Sequence, residues 1–170
     1  MSVFDVFKRL LGGGSAANAR TSPSGETLEE RRHKPRMKPM AGTRVLVVDD
    51  STVVVTLLRR MLEQGGFEPI EAFDAESGIQ AAREQSPALI FLDIVLPGMN
   101  GFQALRILRK DPYLATVPII MMSGNEQATE QFWAQKIGAD DFMKKPFSRS
   151  EVFRRIERLL APELLPNTSE

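Results

Sequence analysis

Between Thr43 and Leu160, short apolar runs alternate with stretches of helical spacing, and no other feature of the sequence limits the fold so strongly. "RVLVV" (44–48), "ALIFLD" (88–93) and "VPIIMMS" (117–123) are apolar almost throughout, the pattern of strands covered on both faces. "FEPIEA" (67–72) is weaker and tolerates Pro69, which places it at a sheet edge. "DDFMK" (140–144) is a short fifth strand. The first helix runs from a Ser51 or Asp50 cap to Gln64, where Gly65-Gly66 stops it. The others cover 75–85, 102–110, 125–137 and 148–160. Five strands alternating with five helices predict a doubly wound α/β fold on a parallel sheet with right-handed crossovers. In such sheets ligands gather at the carboxyl ends of the strands.

The first forty residues follow another rule. "SVFDVFKRLL" puts Val3, Phe4, Val6, Phe7, Leu10 and Leu11 on one side of a helix, and "GGGS" stops it. Residues 1–12 therefore predict a short amphipathic helix and 13–42 a flexible basic linker. The domain occupies 43–162, with a short tail over 163–170. Residues 2–11 offer a weak docking element for a partner or an anionic membrane surface, or else belong to a disordered tail.

What the strands end in matters most. Strand one ends in Asp49-Asp50, strand three in Asp93 and strand four in Ser123; strand five runs into Lys145. Three carboxylates gathered in one pocket repel, and a hard divalent cation relieves the repulsion. The chain has no Cys and a single His, so any metal is held by oxygen, which favours magnesium, calcium or manganese. A carboxylate beside such a cation suits phosphoryl chemistry. The net charge is zero, but residues 41–170 carry 14 Lys/Arg against 18 Asp/Glu. That balance argues against a nucleic-acid partner. No apolar run is long enough to span a bilayer and no signal peptide is evident, so the cytoplasm is the expected location.

"VVDDS" (47–51), "FLDIVLPGMNG" (91–101), "MMSG" (121–124) and "GADDFMKKPF" (138–147) together resemble the receiver domains of two-component response regulators. The resemblance implies a flavodoxin-like, CheY-like sheet of order 2-1-3-4-5 and a Mg²⁺ ion. It makes Asp93 the phosphoacceptor and Asp50 a direct metal ligand. Asp49 would act mostly through metal-bound water, and the Val95 backbone carbonyl would complete the metal site. Ser123 and Lys145 would bind the phosphoryl group, Phe142 would be the aromatic switch, and the Lys145–Pro146 bond would be cis. The implied partners are a histidine kinase and a downstream protein reached through the face of helix 4, strand 5 and helix 5. Trp133 is a candidate on that face. "EQFWAQKIGADDFMKKPFS" further resembles regulators of type IV pilus twitching motility in chemotaxis-like pathways. The short stretch after Leu160 suggests a stand-alone receiver without a turnover substrate.

Each residue also has a plainer role. Asp50 alone would serve as a helix cap, Asp93 as a turn residue before Pro97-Gly98, Ser123 as a turn residue, and Phe142 as core. Trp133 could pack on a neighbouring helix, although it and Phe132 cannot both face one core. By the same resemblance, Val95 and Asn125 would flank the pocket, at positions where side chains tune the lifetime of a phosphoryl group. The rival functions are a phosphate-independent scaffold and a flavin carrier. The scaffold leaves repelling carboxylates unexplained, and a flavin phosphate would meet "DDST" after strand one, where a Ser/Thr/Gly-rich cradle is required.

Overall fold

The computed structural model describes residues 42–124 and 128–160. The predicted helix over 1–12, the linker apart from Gly42, the tail and Asn125 lie outside the described residues. The elements are β1 (Arg44–Val48), α1 (Thr52–Gln64), β2 (Glu68–Ala72), α2 (Ala75–Gln85), β3 (Leu89–Asp93), α3 (Gly101–Lys110), β4 (Ile119–Ser123), α4 (Ala128–Ile137), β5 (Asp141–Lys144) and α5 (Arg149–Leu160). The five strands form one parallel sheet in the order β2-β1-β3-β4-β5. Pro69 lies in the edge strand β2, where its missing N–H costs no second ladder.

Strand alternation divides the core in two. Leu46, Val48, Ile90, Leu92, Ile119 and Met121 pack under α2, α3 and α4, with Ile79, Leu105 and Ala134 from the helices. Val45, Val47, Phe91, Ile120, Met122 and Met143 pack under α1 and α5, with Leu58, Leu62, Val152 and Ile156. Every residue of β3 and β4 is buried, which is why those strands read as unbroken apolar runs.

The helix starts follow capping chemistry. Ser51, rather than Asp50, caps α1 by accepting from Val54 N–H. Asp74 caps α2, and Asn100 caps α3 through a reciprocal capping box with Gln103. Four strand starts fall later than expected, by two residues at β4 and by one at β2, β3 and β5. Pro118 has no N–H to donate ahead of β4. Ahead of β5, the Asp140 carboxylate is taken by Ile119 N–H at 2.8 Å and by Arg109.

Arg109, near the end of α3, ties distant turns together. Its Nε donates to the Gly138 carbonyl at 2.7 Å, and its Nη2 reaches Asp140 at 2.6 Å. Its Nη1 serves the carbonyls of Leu114, Ala115 and Val117. One planar fork thus satisfies the α3–β4 connection and joins it to the turn between α4 and β5.

Candidate functional site

The site forms because the order β2-β1-β3-β4-β5 makes β1 and β3 neighbours, with their connections leaving on opposite faces. Asp49 follows β1 and is fully buried, while Asp50 turns out to solvent. Asp93 ends β3 and is 4% exposed. Ser123 ends β4, is buried, and pairs in register with Lys144. Its carbonyl accepts from Lys145 N–H at 2.8 Å, which brings the Lys145 side chain back across the strand ends. The Lys145–Pro146 bond is cis.

Lys145 Nζ stands 2.5 Å from Asp49 Oδ2 and 3.2 Å from Asp93 Oδ1. Asp49 also accepts from Ser51 N–H at 2.9 Å through Oδ1. That second task of Asp49 is legible only as an acid two residues before a helix cap, a common turn pattern. Carboxylate oxygens of Asp49, Asp50 and Asp93 lie within 4.8 Å of one another. Burial, and then the Asp49 charge, push the Asp93 carboxyl up to about 6; Lys145 opposes the rise. Two negative charges thus share one ammonium while Asp50 adds a third at the open side. Three oxygen donors with excess negative charge suit a hard divalent cation, so the residues present fit the metal expected from the sequence.

Val95 sits just beyond β3 and is 66% exposed. Phe142 is half-buried against the cluster under α2, α3 and α4, paired with Met121 in register. Trp133 lies apart, on the outer side of α4. Adjacency predicts at least one of Phe132 and Trp133 partly exposed, and both are about half exposed, at 52% and 51%. Their rings meet edge to face at 5.8 Å, and Lys136 Nζ lies over the Phe132 ring.

This geometry has known relatives. Residues 45–157 match the response regulator receiver domain family. The chain belongs to that family. Receiver domains are modules of two-component signalling. Protein PilH of Pseudomonas aeruginosa is 36% identical over 118 residues, covering 69% of this chain and 98% of that protein. The phosphate regulon transcriptional regulatory protein PhoB of Klebsiella pneumoniae is 34% identical over 117 residues, but the match spans only 51% of its length. The receiver domain of the sensor histidine kinase PA1611 of P. aeruginosa, solved with a magnesium ion coordinated in its active-site cleft, superposes with a TM-score of 0.66. It is 29% identical, with 71% of this chain and 98% of that chain covered. Among the described residues no helix of this receiver is long and apolar enough to cross a membrane.

Proposed function

We propose that this receiver is a phosphorylation switch in the cytoplasm, with Asp93 as the phosphoacceptor. The observation that carries the reading is the convergence of Asp49, Asp50 and Asp93 around Lys145. A histidine kinase presents a phosphohistidine. An Asp93 oxygen attacks phosphorus, the N–P bond breaks, and the imidazole nitrogen keeps the electron pair. The product is an acyl phosphate on Asp93, which water later hydrolyses to carboxylate and phosphate. The attacking carboxyl must be ionised, and a value of about 6 leaves it so at neutral pH.

Asp50, Asp93 and the Val95 carbonyl would hold Mg²⁺, with Asp49 acting through bound water. When bound, the cation supplies charge neutralisation for the phosphoryl oxygens. Lys145 binds the phosphoryl group from the other side, drawn from its present pairing with the two aspartates. Ser123 donates its hydroxyl, and Phe142 repacks as Ser123 moves. These shifts reach the α4–β5–α5 face, where Trp133 meets a downstream protein; no turnover substrate is involved. The work available equals only the difference in interaction energy between the two states. The likeness to PilH and the stretch from Glu130 to Ser148 support a place in type IV pilus or chemotaxis-like control.

The test is direct. Incubation with a small-molecule phosphodonor and Mg²⁺ is expected to add the mass of one phosphoryl group, and omission of Mg²⁺ to prevent it. An unchanged mass under both conditions would point to a scaffold.

Metal binding has its own pH signature. Below about 6 a proton must leave Asp93 before the cation enters. Calorimetric Mg²⁺ affinity should therefore fall as pH drops below that value, by about tenfold per unit for one displaced proton. Above it, affinity should flatten. An affinity constant between pH 5 and 8 would mean that Asp93 is not a ligand.

A further inference from the structure

Among the described residues, Gly65, Gly78 and Gly101 sit where an added Cβ would press on a neighbour. Gly65 faces the Phe153 ring and Gly78 the Val48 side chain, and side chains can rotate or give. Gly101 faces main chain. A Cβ there would lie 2.8 Å from Ile94 Cα, 2.9 Å from the Asp93 carbonyl carbon, and closer still to the Asp93 carbonyl oxygen. Gly101 opens α3, so it is the missing side chain, rather than backbone freedom, that this position uses.

The contact is fastened on both sides. Gly101 N–H donates to the Ile94 carbonyl at 2.9 Å, and Ile94 N–H donates to the Met122 carbonyl at 3.0 Å. The Asn100–Gln103 capping box pins the helix start. The end of β3 is thus gripped between β4 and the first turn of α3, at the residues that carry Asp93 and lead into Val95.

We propose that Gly101 is a positioning residue of the acidic site: by letting α3 begin against the Asp93–Ile94 backbone, it sets where the Asp93 carboxylate and the Val95 carbonyl stand relative to Asp50. The inference rests on the metal and phosphoryl reading above. A methyl group at 101 has only main chain to push, so the strand end or the helix start must move by about an ångström, a displacement able to cost on the order of a hundredfold in rate.

The experiment compares wild type, Gly101→Ala and Gly65→Ala. Mg²⁺ affinity is measured by calorimetry without any phosphodonor, and the phosphorylation rate is measured at saturating Mg²⁺. Gly101→Ala is expected to bind Mg²⁺ about tenfold more weakly and to be phosphorylated about a hundredfold more slowly. Gly65→Ala is expected to unfold at lower urea while keeping both quantities within about twofold of wild type. Folded Gly101→Ala with both quantities within about twofold of wild type would overturn the proposal. So would equal losses in Gly65→Ala, which would report general loosening. If Gly101→Ala does not fold, Asn100→Gly decides: it removes the capping box without adding bulk. A severalfold loss of Mg²⁺ affinity then supports the proposal, and unchanged affinity sinks it. Wild type that binds Mg²⁺ yet takes up no phosphoryl group would defeat the phosphoryl reading while leaving the calorimetric comparison intact. Wild type that binds no Mg²⁺ would defeat both.

Discussion

Asp93→Asn is expected to take up no phosphoryl group and, without metal, to resist urea better than the wild type. The amide keeps the shape of the carboxyl but offers no anionic oxygen to phosphorus, so the loss of phosphorylation should be complete. The stability gain follows from electrostatics. The folded protein holds the Asp93 proton up to about pH 6 against an ordinary value of 3.8, through burial first and Asp49 second. Folding therefore takes up a proton between those values, and stability in this respect falls as pH rises from about 4 through about 6. A neutral isostere escapes that loss. At neutral pH in EDTA the gain should be about 1–2 kcal/mol, after allowance for screening at the open cleft. Urea unfolding of both proteins across this pH range checks it, and the two curves should converge in acid. A variant less stable at every pH would mean that Asp93 is a structural residue. Function and stability moving in opposite directions would mark it as a working one.

Lys145→Ala should do the reverse. Asp49 has no exposed surface, and its partner ammonium lies 2.5 Å away. Removing that ammonium leaves a buried carboxylate facing a second one at the end of β3. Orphaning a buried charge in this way costs on the order of 3 kcal/mol. Mg²⁺ should return part of the loss, because it neutralises the same oxygens from the open side. The double variant with Asp93→Asn should lose less than the sum of the single changes, since one of the repelling charges is gone. Urea midpoints in EDTA and in Mg²⁺ test all three statements. A metal-free loss below about 0.5 kcal/mol would show that something other than Lys145 makes the adjacent acids tolerable. Phosphorylation of the single variant should also slow sharply, because a phosphoryl oxygen loses its protein cation.

Much of this was legible in the sequence because two signals coincide. β3 and β4 are apolar until their last residues, Asp93 and Ser123, and β1 is apolar from Val45 to Val48 before Asp49 follows, so the same letters report both the strand and the site. Pro69 identified the edge strand by the donor it lacks. The direction of the paired acids was not legible. That Asp49 is buried and Asp50 exposed depends on how the chain turns out of β1 into α1, a turn fixed partly by the bond from Ser51 N–H to Asp49. The exposure of both Phe132 and Trp133 also escaped prediction. Adjacency excludes two inward aromatics but does not require one, and here small Ala134 takes the inward position beside them. Gly101 carries no signal beyond being a glycine after a helix cap; its closeness to Asp93 exists only once β3 and α3 are folded together.

The arginine fork at the end of α3 bears on how such a domain can transmit a signal. Arg109 fastens the trailing end of α4 by way of Gly138 and Asp140, and each bond from a charged donor is worth roughly 1.5–3 kcal/mol. Freeing that end would mean breaking both of these bonds at once. The helix that bears Trp133 is thus moored to α3 at its trailing end, so a partner that grips its exposed rings takes hold of an anchored helix and not of a loose one.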